Sequence, residues 1–259
     1  MKEIDAHEVA RQVTLALVLE PIAEKDGCTT RNVDLDETIR LQHLQAAAVN
    51  INRYFYELTV RVDEHKSQPA LYFDLAFAAT KASITNLQQN GAKYINQGLI
   101  TTLFHVVLSS LLTNGDGSAV CSTVPSILRQ SSAEDAAYRN KLLRLVWSSS
   151  KSEKKRSFPD IEAANLYDFY EKLGTLSATH DYESGVLWTN ELLSGLPIVQ
   201  TMYTEANKHL EEGILAALEK SYEIGSSLLP IRSPGFIADY TGIVAYLLLR
   251  ENPGKKIIL

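Results

Sequence analysis

Cysteine is nearly missing from this chain: Cys28 and Cys121 are the two in 259 residues, too few and too far apart to staple a disulfide framework or build a zinc site. Such scarcity fits a reducing compartment, and a cytoplasmic location is the expectation. Excess positive charge is lacking too. With 25 Lys and Arg against 31 Asp and Glu the net charge is -6, so the broad basic surface that displaces counterions from nucleic acid is not provided. The longest apolar stretch, Gly98 to Leu112, is interrupted by Thr101, Thr102, His105, Ser109 and Ser110. It falls short of the roughly 20 residues that span a bilayer, reads as a central core helix, and gives no membrane partner. The charged, amphipathic Met1 to Ala10 does not have the make-up of a secretory leader. Phosphate-cradling loops of the Walker kind, dinucleotide fingerprints, paired-histidine zinc motifs and serine elbows are all absent. The six histidines, His7, His43, His65, His105, His180 and His209, do not share ligand spacing, and His105, on an apolar face, reads as a core histidine with a satisfied ring.

What the chain does have is helical periodicity, with 45% hydrophobic residues to build a sizeable core. Val9, Val13, Ala16, Leu17 and Leu19 recur at steps of three and four within Glu8 to Ile22. The same spacing predicts helices over Thr38 to Asp63, from Pro69 to Asn90, over Gly98 to Leu112 and near Thr123 to Gln130. Ser132 with Asp135 three residues on has the form of a capping box opening a helix to Trp147. Residues 148–158, with Lys151, Lys154, Lys155 and Arg156, show no apolar period and read as an exposed basic loop; a phosphate-facing patch is the other reading. Helices are predicted again from Pro159 to Gly174 and from Ile198 to Ile224, with Tyr182 to Leu193 ambiguous. No stretch alternates as a strand does. The expectation is an all-α protein, one multi-helix bundle of nine or ten helices forming a single domain over residues 1–259.

Two stretches have the residue types for anion chemistry. Ser233, Pro234, Gly235, Phe236, Ile237, Ala238 and Asp239 lead into the apolar Tyr240 to Leu249, and a Pro-Gly turn at a helix start presents unpaired N–H groups to negative charge. The same pattern also opens ordinary core helices. Glu20, Lys25, Gly27 and Arg31 cross a helix end into a loop with Thr29 and Thr30, where Arg31 offers a bidentate fork and Lys25 a point charge to a polyphosphate. A capped helix end with surface salt bridges explains them equally well.

These residues resemble the triphosphoribosyl-dephospho-CoA synthase family. That family has a glutamate ending its first helix, then Pro-Lys-Pro-Gly and a run ending in arginine. Glu20, Lys25, Gly27 and Arg31 follow this layout, with Glu24 and Asp26 in place of the prolines. Its Asn-Thr-His-Lys-Gly segment before an apolar helix is matched by Gly98 opening Leu99 to Leu112, although Tyr94, Asn96 and Gln97 precede it here. Its final Ser-Pro-Gly-Gly-Ser-Ala-Asp is similar to Ser233, Pro234, Gly235, Ala238 and Asp239, with Phe236 and Ile237 replacing Gly-Ser. Where the family has Asp-Thr-Asn and then Arg-Gly-Gly, this chain has Leu196, Pro197, Ile198 and later Met202, Tyr203, Thr204, with Glu191 or Glu205 as acidic substitutes.

The resemblance implies a transferase that takes ATP with Mg2+, expels adenine and joins a triphosphoribosyl unit to a CoA-type or other small acceptor. It implies Glu20 and Asp239 as catalytic carboxylates, with Lys25, Gly27, Arg31, Ser233 and Gly235 contacting phosphate or nucleotide. The replaced polar residues leave a second reading, a catalytically degenerate binding or assembly protein of the same fold. Metal ligands, acceptor and oligomeric state are not specified by the sequence.

Overall fold

A computed structural model describes residues 5–34, 37, 39–89, 91–92, 97–146, 160–179, 183–229 and 234–253, and the backbone alone of 147–149. The chain is all-helical, with eleven α-helices, one short 3-10 turn and no strand among the described residues. In chain order they are α1 (Ala6–Leu19), α2 (Leu41–His65), α3 (Phe73–Gln89), α4 (Gln97–Leu112), α5 (Gly117–Gln130) and α6 (Ala133–Ser149), followed by α7 (Leu166–Thr179), α8 (Glu183–Ser194), α9 (Pro197–Lys208), α10 (Ile214–Leu228) and α11 (Pro234–Glu251).

Local chemistry explains most of these boundaries. The Asp5 carboxylate accepts the amides of His7 and Glu8 to open α1, and Asp116 accepts Ala119 N–H at 2.9 Å to open α5. Ser132 and Asp135 exchange side-chain bonds to each other's amides at 2.9 and 3.1 Å, the reciprocal box their spacing predicts. Eleven helices exceed the nine or ten that periodicity predicts. Ile198 to Ile224 reads as one helix, but the 3-10 turn Leu210–Glu212 and Gly213, at φ 120°, divide it into α9 and α10. The interruption is short enough for the apolar spacing to resume almost in phase, which hides it from a periodicity reading. The ambiguous Tyr182 to Leu193 segment is helical from Glu183.

Two other expectations shift. Pro234 to Asp239 form the first two turns of α11 rather than a loop ahead of it, a start that suits proline, whose ring presets φ and whose missing N–H is not needed there. The basic loop near 148–158 lies outside the described residues apart from the helical backbone of Ser148 and Ser149.

Two helices run through the interior. Every residue of α4 from Leu99 to Ser110 is buried, and so is every residue of α11 from Tyr240 to Leu249. α11 packs on α1, α4, α9 and α10; α4 packs on α2, α3, α5 and α11. α6, α7 and α8 form a further group, with α6 against α3 and α7 and with α7 against α8 and α5. One contiguous apolar cluster draws on all eleven helices. Each large side chain it takes from water contributes about 1.5–3 kcal/mol. No single helix among the described residues is long and apolar enough to cross a membrane.

Candidate functional site

The start of α11 is a wall between two hollows. Its helical turn directs Pro234 and Ile237 to one side and Gly235, Phe236, Asp239 and Tyr240 to the other. On the first side lies an open cleft whose other walls come from the loop after α1 and from α10: Lys25, Gly27, Cys28, Thr30, Tyr222 and Ser226 among them. On the second lies a cavity of about 300 Å³, closed by Gly98 and Thr102 of α4, Arg139 of α6, Ser177 of α7 and Trp188 of α8.

The two sequence stretches singled out above therefore meet in space. Gly27 adopts φ 75°, a left-handed conformation that favours glycine, and a Cβ there would press on Pro234 Cγ at 3.0 Å. Glu20, at the end of α1, lies against α11, where a Cβ on Gly242 would come within 3.3 Å of its Cγ. Gly98 leaves the space into which the Asp239 carboxyl reaches, and the Leu99 amide N–H, in the first turn of α4, is directed at that carboxyl. Asp239 thus does for α4, from a different helix, what an N-cap residue does locally.

Burial governs the charge state of this cluster. Desolvation pushes the Asp239 carboxyl well above the usual range, the neighbouring Glu20 charge pushes it further, and the Leu99 amide only partly opposes them. Such exposure as Asp239 keeps is consistent with its place on the cavity wall. Burial also raises Glu20, against the pull of Lys25. Lys25 Nζ lies 3.1 Å from Glu20 Oε1 and donates to the carbonyls of Glu20 and Ala23. The direction we assign is a proton retained on Asp239 and a Glu20 carboxylate paired to Lys25. Burial, with the Glu20 charge adding to it, lifts the nearby Cys28 thiol to about 11, so it is not a thiolate at neutral pH.

The remaining candidates are placed as follows. Arg31 is exposed, and its Nε lies 3.2 Å from Glu24 Oε1. Gly235 is exposed at the cavity's edge, and Ser233 lies outside the described residues. Glu24, Asp26, Glu219 and Glu223 also line the cleft, so its charged lining residues are mostly acidic. Glu191 accepts the Ile198 N–H at 3.0 Å and caps α9, while Glu205 pairs with Lys208 at 2.6 Å. His105 is fully buried with both ring nitrogens engaged, Nδ1 with Tyr72 Oη at 3.0 Å and Nε2 with Tyr170 Oη at 2.9 Å. Among the described residues no three His, Cys, Asp or Glu side chains converge as a metal site. Glu20 and Asp239 are already committed to Lys25 and to the Leu99 amide, so these donors do not fit a resident magnesium ion.

Sequence reasoning misses Arg139, Ser177, Trp188 and Tyr240, which supply much of the cavity's polar and aromatic wall. A signal for Arg139 exists: it stands three residues after Ala136 and four before Leu143, in phase with the buried stripe of its helix, where a charge is out of place. Comparison of the chain with protein-family models, with curated proteins and with solved structures finds no significant match to any of them.

Proposed function

We propose that the protein binds a phosphorylated small molecule in the α4–α6–α7–α8–α11 cavity and acts as a transferase like the triphosphoribosyl-dephospho-CoA synthases. In this reading it moves a ribosyl-type group from ATP or a related donor to a CoA-type or other small acceptor. The observation that carries the reading is the place of Asp239: a carboxyl on a cavity wall that desolvation pushes toward its protonated form, with the Glu20–Lys25 pair behind it. Breaking a bond between a ribose and a base leaves negative charge on the base and positive charge on the anomeric carbon. A neutral carboxylic acid at that place donates the proton the leaving base needs, and the negative field of Glu20 favours the cationic sugar. The Leu99 amide holds the Asp239 carboxyl in orientation, and Gly235 lets the ligand approach the backbone of α11. Magnesium belongs here to the substrate, as Mg–ATP.

Calorimetry with ATP, 3′-dephospho-CoA and ribose phosphates in the presence of magnesium, joined to chromatographic detection of released adenine, tests this. Binding tighter than millimolar and adenine release that falls by about 10²–10⁴-fold in Asp239→Asn are expected. Absence of binding by all three ligand types sinks the reading.

One observation favours the alternative, a non-catalytic binding or assembly protein. Lys25, the cation among the outer cleft's described lining residues, is spent on Glu20, and Arg31, outside that lining, pairs with Glu24. A stable protein partner in size-exclusion chromatography together with nucleotide binding but no turnover is the result that assigns it.

A further inference from the structure

Arg139 is a cation in the wrong kind of place. It is 1% exposed in the middle of α6, and no carboxylate among the described residues pairs with its guanidinium. Its Nε and Nη1 have no hydrogen-bond partner. The rings of Trp188, Phe169 and Tyr170 surround it at 5.2 to 5.7 Å, a partial compensation for lost hydration but no substitute for an anion. Two other residues that line the same cavity carry buried hydroxyls without a partner: Ser177 Oγ, on a fully buried residue of α7, and Tyr240 Oη, on a residue of α11 that is 1% exposed. Buried polar groups are nearly always bonded, and each exception asks for an explanation. Three on three helices, lining one hollow, ask for a common one.

We propose that Arg139, Ser177 and Tyr240 receive the phosphate of a small phosphate monoester, the body of which lies between Trp188 and Phe236. The proposal takes from the proposed function only that this cavity is the ligand site, and it needs no transfer reaction. The guanidinium supplies a fixed positive charge with N–H donors on more than one edge, and hydroxyls from two other helices can reach a tetrahedral group better than a flat one. A single guanidinium neutralises about one charge, which suits a single phosphate group at this position. A volume of about 300 Å³ is at the small end for ligand pockets and fits a sugar-phosphate-sized molecule. The Trp188 ring is held for contact by its Nε1–H, which donates to Thr102 Oγ1 at 3.0 Å.

The test is thermal melting and calorimetry of the full chain with inorganic phosphate, ribose 5-phosphate, acetate and chloride at matched ionic strength. Phosphate and ribose 5-phosphate should raise the melting temperature by several degrees when present at about a hundredfold excess over Kd. Arg139→Met should weaken both about 100-fold, and Ser177→Ala and Tyr240→Phe each about 3- to 10-fold. In the absence of phosphate Arg139→Met should melt no lower than the parent, because the substitution removes an uncompensated buried charge. If phosphate stabilises no better than chloride, if acetate matches phosphate, or if Arg139→Met binds phosphate normally, the assignment fails. Should Arg139→Met not fold, unchanged phosphate affinity in both hydroxyl variants overturns it. Phosphate binding without adenine release would leave this inference standing and the transferase reading fallen.

Discussion

A histidine on an apolar face invites a catalytic role, and the surroundings of His105 decide against one. Both of its ring nitrogens are bonded to tyrosine hydroxyls, and burial, with the Arg139 charge adding to it, lowers its pKa to about 3. The unfolded chain takes up a proton near 6.5 and the folded one does not until about 3, so its contribution to stability is complete above 6.5 and lost as pH falls through that window. Imidazole resonances of His105 should therefore stay in the neutral form from about pH 8 to about pH 4.5 in an NMR titration. A ring that charges near 6.5 would contradict the buried network. The hydrophobic run around His105 in the sequence predicts its burial; its phenol partners come from α3's approach and from α7, more than 30 positions away on either side.

The contact between α4 and α11 depends on a missing side chain. Gly98 admits the Asp239 carboxyl to the amide end of α4, and Gly242 admits Leu99, whose Cδ atoms would meet a Cβ there at 2.8 Å. Gly98→Ala puts a methyl where the carboxyl sits and should cost about 1–3 kcal/mol in urea unfolding. Combined with Asp239→Ala the loss should be clearly less than additive, since the clash vanishes with its partner; strict additivity would show that the two do not touch. From sequence, Gly98 and Asp239 stood out as members of separate motifs. Nothing in either spacing says that one is the socket for the other, because helix docking is settled by the shapes of two surfaces and not by the period of each.

The assembly of eleven helices buries carboxyls that in a free chain would be hydrated. Glu191 is 5% exposed, and burial lifts it from 4.5 to about 7 despite the α9 amides it accepts. For an acid whose folded pKa is raised, the folded state holds the extra proton, so stability falls as pH rises between the unfolded and folded values. Asp239 acts in the same direction. The stability of Glu191→Gln relative to the parent should accordingly grow by roughly 1–3 kcal/mol from about pH 4.5 to about pH 7 and then level off, as measured by denaturant unfolding at each pH. A flat difference would place Glu191 in water.

Periodicity in the sequence was enough to determine an all-helical chain with α4 central and α11 buried, because a residue's hydrophobicity and its neighbours at three and four positions are local facts. Residue types, rather than periodicity, marked Glu20, Lys25, Gly27 and Arg31 and the turn ending in Asp239 as unusual. Whether Lys25 faces a ligand or Glu20, whether Asp239 keeps its proton, and whether Arg139, Ser177 and Tyr240 share one hollow were decided only by tertiary packing. Desolvation and charge pairing depend on which distant helices close over a group, and that distance in space is written nowhere along the chain.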